Sequence, residues 1–271
     1  MTDLKIYCFT LNEYLILNKF PSYIQILGLG KTNFNKNYLD EKKGLNLNSL
    51  NHYYGEATGF YWIWKNELKK MNKKSWLGTC NYRKLWLNKC FNNKQKFSVS
   101  SLYSNLLQPN NNIFNNSEAV QVQPIIFKKE TVLQQFEKVH GKNIITECAD
   151  FLDVKLKADF LKFINSNSLS ITFFLTTADI FDEYCNILFP WLEKCYRYCN
   201  EINVLNGYNA RIPAFLMERF NSFWFSTYIK KLNYLSYARL GNSMLSDNVN
   251  KFVNPMKLPF TLRMYPTLHK Y

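Results

Sequence analysis

The sequence predicts an α/β domain, and three observations carry the prediction. Short apolar, β-favouring runs alternate with segments whose apolar residues recur at helical spacing. The 271 residues are 47% hydrophobic and 17% aromatic against 20% charged, a composition that fills a core and excludes a disordered chain. No internal repeat interrupts the alternation. Length alone allows one large domain or two small ones. A chain of this class places its ligand at the carboxyl ends of its strands.

KIYCFT (5–10) and YIQILGLG (23–30) are the first two strand-like runs. The GLGKT at 28–32 is not a phosphate loop, because a Walker motif needs glycine where Gln25 stands. Nor does GxG without its third glycine make a dinucleotide fingerprint. Residues 31–52 are polar and read as loop. The stretch YYGEATGFYWIWKN (53–66) then sets Tyr53, Ala57, Tyr61, Trp64, Leu68 and Met71 at steps of three and four, one continuous helical stripe. Glu56 in its first turn and Lys65, Lys69, Lys70 and Lys73 toward its end suit the helix dipole.

WLGTCNYRKLW (76–86) reads as a strand entering a loop with Asn81, Tyr82, Arg83 and Lys84. Residues 88–118 are rich in Asn, Ser and Lys, and 105–118 is expected to be a mobile loop. AVQVQPIIF (119–127) is a strand limited by Pro124. A helix around 129–140 ends near His140-Gly141. LSITFFLT (169–176) is a strand, and Phe181, Tyr184, Leu188, Trp191, Cys195 and Tyr198 mark a long helix containing Pro190. Ile212, Leu216, Phe220 and Phe223 resume helical spacing, with Pro213 in the first turn or at a kink. From about 229 the chain reads as irregular or strand-like wrapping.

Several chemistries are excluded by what is missing. The seven cysteines show no zinc-site spacing and read as free thiols of a reducing compartment. Three histidines form no HExxH, no GxSxG elbow is present, and no two aspartates make a DxD. No run reaches the roughly 18 apolar residues that span a bilayer. Asp3, Lys5, Asn12 and Glu13 break the apolar run a signal peptide needs, so a soluble, cytoplasmic protein is expected. Lys and Arg outnumber Asp and Glu by 34 to 20, a net charge of +14 that suits nucleic acid, an anionic membrane surface or a phosphorylated substrate.

Glu56, Asn81, Tyr82, Arg83, His140, Glu218 and Arg219 are polar residues that interrupt apolar segments. Each has two readings. Glu56 complements a helix N-terminus or holds a ligand, and Arg83 is a loop cation or a phosphate partner. His140 caps a helix end or lines a site, while Glu218 and Arg219 lie on a solvated helix face or in a cleft.

Four blocks of the chain carry a resemblance. YYGEATGFYWIWKN, WLGTCNYRKLW, IFDEYCNILFPWLEK and YNARIPAFLMERFNSFW occur in the order found in a bacterial capsule and exopolysaccharide biosynthesis family. The family is catalogued as domain of unknown function 4422, and the resemblance spans residues of about 4 to 230. Its members include glycosyltransferases, among them galactofuranosyltransferases, of a nucleotide-binding α/β type called GT-A. The resemblance thus implies a single GT-A-like domain over 1–271, with a central mixed sheet flanked by helices and a mostly helical C-terminal part. Residues 1–128 would bind the nucleotide sugar, 129–230 would form a mainly helical acceptor side, and 231–271 would be an irregular wrap.

The resemblance assigns Glu56, Thr58, Tyr82, Arg83, Glu218 and Arg219 to matching motif positions, which makes Glu56 or Glu218 the candidate catalytic carboxylate. The candidate substrate-binding residues are Thr10, Asn46, Thr58, Asn81, Tyr82, Arg83, His140, Thr172 and Arg219. The chain departs from the family at Leu11 and Leu45, which replace polar residues, and at Asn81 and Thr172, which replace a histidine and an asparagine. The implied reaction moves a sugar, galactofuranose being one candidate, from a nucleotide-diphosphate donor of the UDP-sugar type to a glycan or lipid-diphosphate-linked acceptor. An inverting route needs a carboxylate base, with Glu56 preferred, and positive charge on the leaving group. Without DxD that charge would come from Arg83, Lys84 or Arg219, and a divalent metal, Mn²⁺ or Mg²⁺, stays open as a cofactor. The basic surplus then suits peripheral contact with the inner face of the plasma membrane, with no nucleic acid as partner. An inactive homologue, or a basic scaffold for nucleic acid or membrane, is the alternative.

Overall fold

The structure is a computed structural model that describes residues 2–90, 99–170 and 173–240. Its centre is β1 (Leu4–Thr10), which pairs in parallel with β2 (Ile24–Gly28) on one side and with β4 (Trp76–Asn81) on the other. Both faces of β1 are covered, which is why LKIYCFT is apolar nearly throughout instead of alternating. Beyond β2 lies the short parallel β3 (Leu39–Asp40). Beyond β4 lies the antiparallel β9 (Phe174–Thr177), then β6 (Ala119–Val122) and β10 (Leu232–Leu235), the last parallel to β6. The hairpin strand β5 (Lys84–Trp86) folds back on β4 and pairs with β11 (Tyr237–Arg239). A separate ribbon joins β7 (Ile125–Ile126) to β8 (Ser168–Leu169). The sheet is thus mixed.

One face of the sheet is packed by helices. They are α1 (Asn51–Tyr54), α2 (Ala57–Trp62), α4 (Val132–His140), α5 (Ile144–Ala149), α6 (Val154–Ile164), α7 (Ala178–Glu201) and α8 (Ile212–Tyr228), while α3 (Val99–Asn105) lies on the other face. α8 buries residues around most of its circumference, as a helix at the centre of a layer must. Its Phe220, Phe223 and Phe225 join Phe174, Phe160 and Tyr184 in an aromatic core, with Phe174 and Phe225 centroids 4.4 Å apart. α7 runs through Pro190 without ending, and Pro213 sits in the first turn of α8. Thr131 caps α4 reciprocally with Gln134, and Gly141 follows its end. Six cysteines are buried and Cys90 is exposed, all free.

Three sequence expectations are corrected and a fourth is sharpened. The single helix expected through 53–71 is broken at Gly55, then continues as α2, a π-helical stretch Ile63–Glu67 and a 3-10 turn Leu68–Lys70. Its deepest residues are Tyr54, Ala57, Phe60 and Ile63, while Tyr53, Tyr61, Trp64, Leu68 and Met71 lie half-buried at the margin of the core. Segment 105–118, expected as a mobile loop, is pinned to the second face by Leu106, Leu107 and Phe114, with Leu102 of α3 beside them. The strand expected over 169–176 is two separate pieces, because Leu169 pairs with Ile125 and only Phe174–Thr177 enters the main sheet. Residues 232–239, expected as irregular or strand-like wrapping, form β10 and β11; the rest of that tail, from 241, lies outside the described residues. Among the described residues no helix is long and apolar enough to cross a membrane.

Candidate functional site

Neighbouring strands leave β1 in opposite directions, β2 to one side and β4 to the other. The crevice above the carboxyl ends of β1 and β4 is therefore the topological switch point where open α/β sheets hold ligands. Thr10 and Asn81 end those two strands. Three parts of the chain meet there.

The first is the helix break. Gly55 has φ +53° and ψ −128°, a conformation that only glycine adopts without strain, and a Cβ there would stand 3.0 Å from Nη2 of Arg211. Asn51 Nδ2 donates to Gly55 O at 3.2 Å and to Thr58 Oγ1 at 2.8 Å, and Thr58 Oγ1 donates to Gly55 O, so the break is stapled shut. Glu56 follows at the head of α2. Gly55→Ala is expected to cost about 1–3 kcal/mol in urea unfolding, with Asn51 and Thr58 unchanged in sequence and the position of Arg211 disturbed.

The second part is the β4–β5 hairpin, turned by Tyr82 and Arg83. Asn81 Nδ2 donates to Glu56 Oε1 at 2.8 Å, and Asn81 Oδ1 accepts from the Arg83 amide at 3.0 Å. Lys84 stands opposite Asn81 in the hairpin, with Nζ 5.5 Å from the Phe173 ring and 5.8 Å from Tyr237. The third part is α8 and its approach, which bring Arg211 and Glu218; Glu218 Oε2 accepts from Arg219 Nη1 at 3.2 Å.

The charges of these groups act on one another. Burial raises the pKa of Glu56; the Asn81 amide and the charges of Lys84 and Arg211 pull it down, while Glu218 pushes it further up. Burial lowers the pKa of Lys84, against the pull of Glu56 and Glu218. Two carboxylates and two cations thus share one crevice, an arrangement that can both take a proton and hold a polyanion.

The structure divides the residues predicted from sequence. It brings Glu56, Asn81 and Glu218 together. Thr10 is buried and its hydroxyl donates to Asn12 O, and Thr58 is turned inward onto the helix break. Asn46 is exposed in the loop after β3, donating to Lys42 O and Gly44 O. Tyr82 stacks on Tyr14 with centroids 4.9 Å apart, and Arg83 lies exposed across it, its Cζ 5.1 Å from the ring. Arg219 is buried behind Glu218, donating to Phe215 O and to Gln135 Oε1. His140 is buried beside Asn209, with its pKa lowered by that burial. Thr172 lies outside the described residues.

Two residues escaped the sequence reading. Arg211 stands at the N-cap of α8, where a cation opposes the helix dipole, and that unfavourable placement was the available signal. Glu41 sits fully buried just after β3; Oε1 accepts from the Gly30 amide at 2.6 Å and from Asn48 Nδ2 at 2.7 Å. Burial raises its pKa. It ties the β2 exit to the loop that leads into α1. Glu41→Ala would orphan the Gly30 amide and is expected to cost about 1.5–3 kcal/mol in urea unfolding, with Glu41→Gln, which keeps an acceptor, losing less.

The family model described as Domain of unknown function (DUF4422) matches residues 5–231 of the chain. No curated protein matches it. Among solved structures it is similar to one described as the apo structure of WbbM, a bifunctional glycosyltransferase, with a TM-score of 0.67 and 17% sequence identity. The match covers 87% of this chain and 45% of that one, so the chain spans less than half the length of that protein. At this identity the likeness speaks for the fold, a mixed α/β sheet flanked by helices.

Proposed function

The chain belongs to the DUF4422 family and shares its fold with a glycosyltransferase, and from that premise we propose that it transfers a hexosyl group from a nucleotide-diphosphate donor to a glycan or lipid-linked acceptor. The observation that carries the reading is the meeting of Glu56, Asn81, Lys84, Arg211 and Glu218 at the switch point of the sheet. In this reading an acceptor hydroxyl attacks the anomeric carbon as the bond from that carbon to the diphosphate oxygen breaks. Glu56 takes the hydroxyl proton, and the bonding electron pair leaves with the nucleoside diphosphate toward Lys84 and Arg211. One such displacement inverts the anomeric centre. The raised pKa of Glu56 makes it a stronger base than an exposed carboxylate, and Asn81 fixes its orientation.

Of the cations expected from the sequence, Lys84 keeps the leaving-group role and Arg211 joins it, because Arg83 faces solvent over Tyr82 and Arg219 is committed to Phe215, Gln135 and Glu218. Among the described residues no three His, Cys, Asp or Glu side chains converge in a way that could hold a metal. Leu11, Leu15 and Leu45 are exposed on the loops that follow β1 and β3 at this edge of the sheet. Together with the +14 charge, they support a lipid-linked acceptor approached at an anionic membrane surface. A UDP-sugar donor, galactofuranose included, is the first to test.

The test is release of nucleoside diphosphate from a panel of UDP-, GDP- and CMP-linked sugars, with the corresponding CMP release for the last, in the presence of lipid extract and with or without chelator. Release from one donor, absent in Glu56→Gln, supports the reading. No release above the Glu56→Gln protein from any donor contradicts it and favours an inactive homologue.

A further inference from the structure

Behind Glu218 lies an aromatic staircase that the proposed chemistry does not use. Tyr208 is 64% exposed and is the one aromatic among the exposed large apolar residues described. It stacks on His140 at 5.7 Å and 12°, and His140 stacks on Phe215 at 4.4 Å and 27°. Tyr208 and Phe215 are also in contact, with centroids 5.2 Å apart. An aromatic ring gains by burial, so a tyrosine held out on a stack of rings with most of its surface in water has a face available to a ligand.

The stack is built, not incidental. Tyr208 rides on the 3-10 turn Gly207–Arg211. Asn209 in that turn holds His140 at two points, its Oδ1 3.0 Å from Nδ1 and its Nδ2 donating to the His140 carbonyl at 3.4 Å. Burial lowers the pKa of the imidazole and so favours its neutral form. Beneath, Arg219 is 4% exposed, and its Nε makes no hydrogen bond among the described residues. The staircase is also continuous with the crevice: Arg211 Cζ lies 5.7 Å from the Phe215 ring, and Nη2 of the same guanidinium reaches the Gly55 break beside Glu56. The charge of Glu218 acts on both Glu56 and Arg219.

A flat apolar face with the Glu218 carboxylate and the Arg211 guanidinium beside it matches a pyranose ring. The sugar's C–H face lies on the aromatic ring while its hydroxyls bond to the charged rim. We propose that Tyr208, with His140 and Phe215 beneath it, is the platform for the acceptor saccharide, which enters over Tyr208 and presents its hydroxyl toward Glu56 past Arg211 and Glu218. The assignment rests on the transferase reading for the word acceptor, but the binding of a saccharide there does not.

Saturation-transfer NMR with methyl β-D-galactopyranoside, methyl α-D-glucopyranoside and methyl α-D-mannopyranoside tests it, using the full chain, Tyr208→Ala and Tyr208→Phe. The expected result is transfer to the ring C–H protons of at least one glycoside, weakened about two- to tenfold in Tyr208→Ala and kept in Tyr208→Phe. Absence of transfer from all three, or transfer that Tyr208→Ala leaves unchanged, overturns the platform. The melting midpoints of the same proteins with UDP, GDP and CMP separate the two readings. A nucleotide shift retained in Tyr208→Ala alongside lost glycoside transfer supports both. A nucleotide shift with Tyr208-independent glycoside behaviour removes the platform alone, and glycoside transfer without any nucleotide shift removes the donor reading alone.

Discussion

Glu56→Gln is expected to lower turnover about 10²- to 10⁴-fold, the usual range for loss of a positioned general base. Glutamine keeps an oxygen for the Asn81 amide, which donates to Glu56 Oε1, so donor binding is expected to change little and the loss to fall on kcat. The pH profile gives a second readout. A carboxylate base works only when ionised, and burial raises the pKa of Glu56, so the acid limb of kcat/KM should lie above the ordinary glutamate range and vanish in the variant. Stability runs the other way. The folded pKa of Glu56 is raised above its unfolded value, so ionising it costs stability as pH rises from the unfolded pKa through the folded one. Glu56→Gln should therefore melt higher than the parent at pH 8, with the difference shrinking below the unfolded glutamate pKa of about 4.3.

Removing the cations should cost nearly as much. Lys84→Met and Arg211→Met are each expected to lower turnover about 10²- to 10³-fold, the scale of losing one electrostatic partner of a developing charge. They differ in their pH signatures. Burial lowers the pKa of Lys84, so the parent should lose activity at alkaline pH as Lys84 deprotonates, and Lys84→Met should lack that limb. Arginine does not titrate in the working range, so Arg211→Met should retain it. Steady-state kinetics across pH 5 to about 10 check both. An unchanged rate in Lys84→Met would remove it from the leaving-group role.

Much of the fold was legible because its signals are local. Apolar runs marked β1 and β4, and helical spacing marked α4, α7 and α8. The break at Gly55 was not, since Tyr53, Ala57 and Tyr61 keep helical spacing across it and the positive φ arises only in the fold. Segment 105–118 looked like loop because Asn and Ser outnumber its anchors Leu106, Leu107 and Phe114. β10 pairs with β6 from more than a hundred residues away, a choice no local pattern announces.

The site divides along the same line. Glu56, Asn81 and Glu218 interrupt apolar stretches, which made them conspicuous. Glu41 did not, because it lies in the polar stretch 31–52 where an acid is unremarkable and its burial arises only in the fold. Tyr208 and Arg211 sit in one short turn whose chemistry depends on His140, Phe215 and Gly55, brought there by tertiary packing.

On the proposed reading, the crevice above β1 and β4 holds a nucleoside diphosphate against Lys84 and Arg211. The melting midpoint of the full chain, with UDP, GDP or CMP and with or without Mn²⁺ or chelator, tests it most directly. One nucleotide at about a hundred times its dissociation constant should add about 2.7 kcal/mol to the folded state, with the shift surviving chelation and much reduced in Arg211→Met. No shift with any nucleotide, with metal or without, would contradict the account.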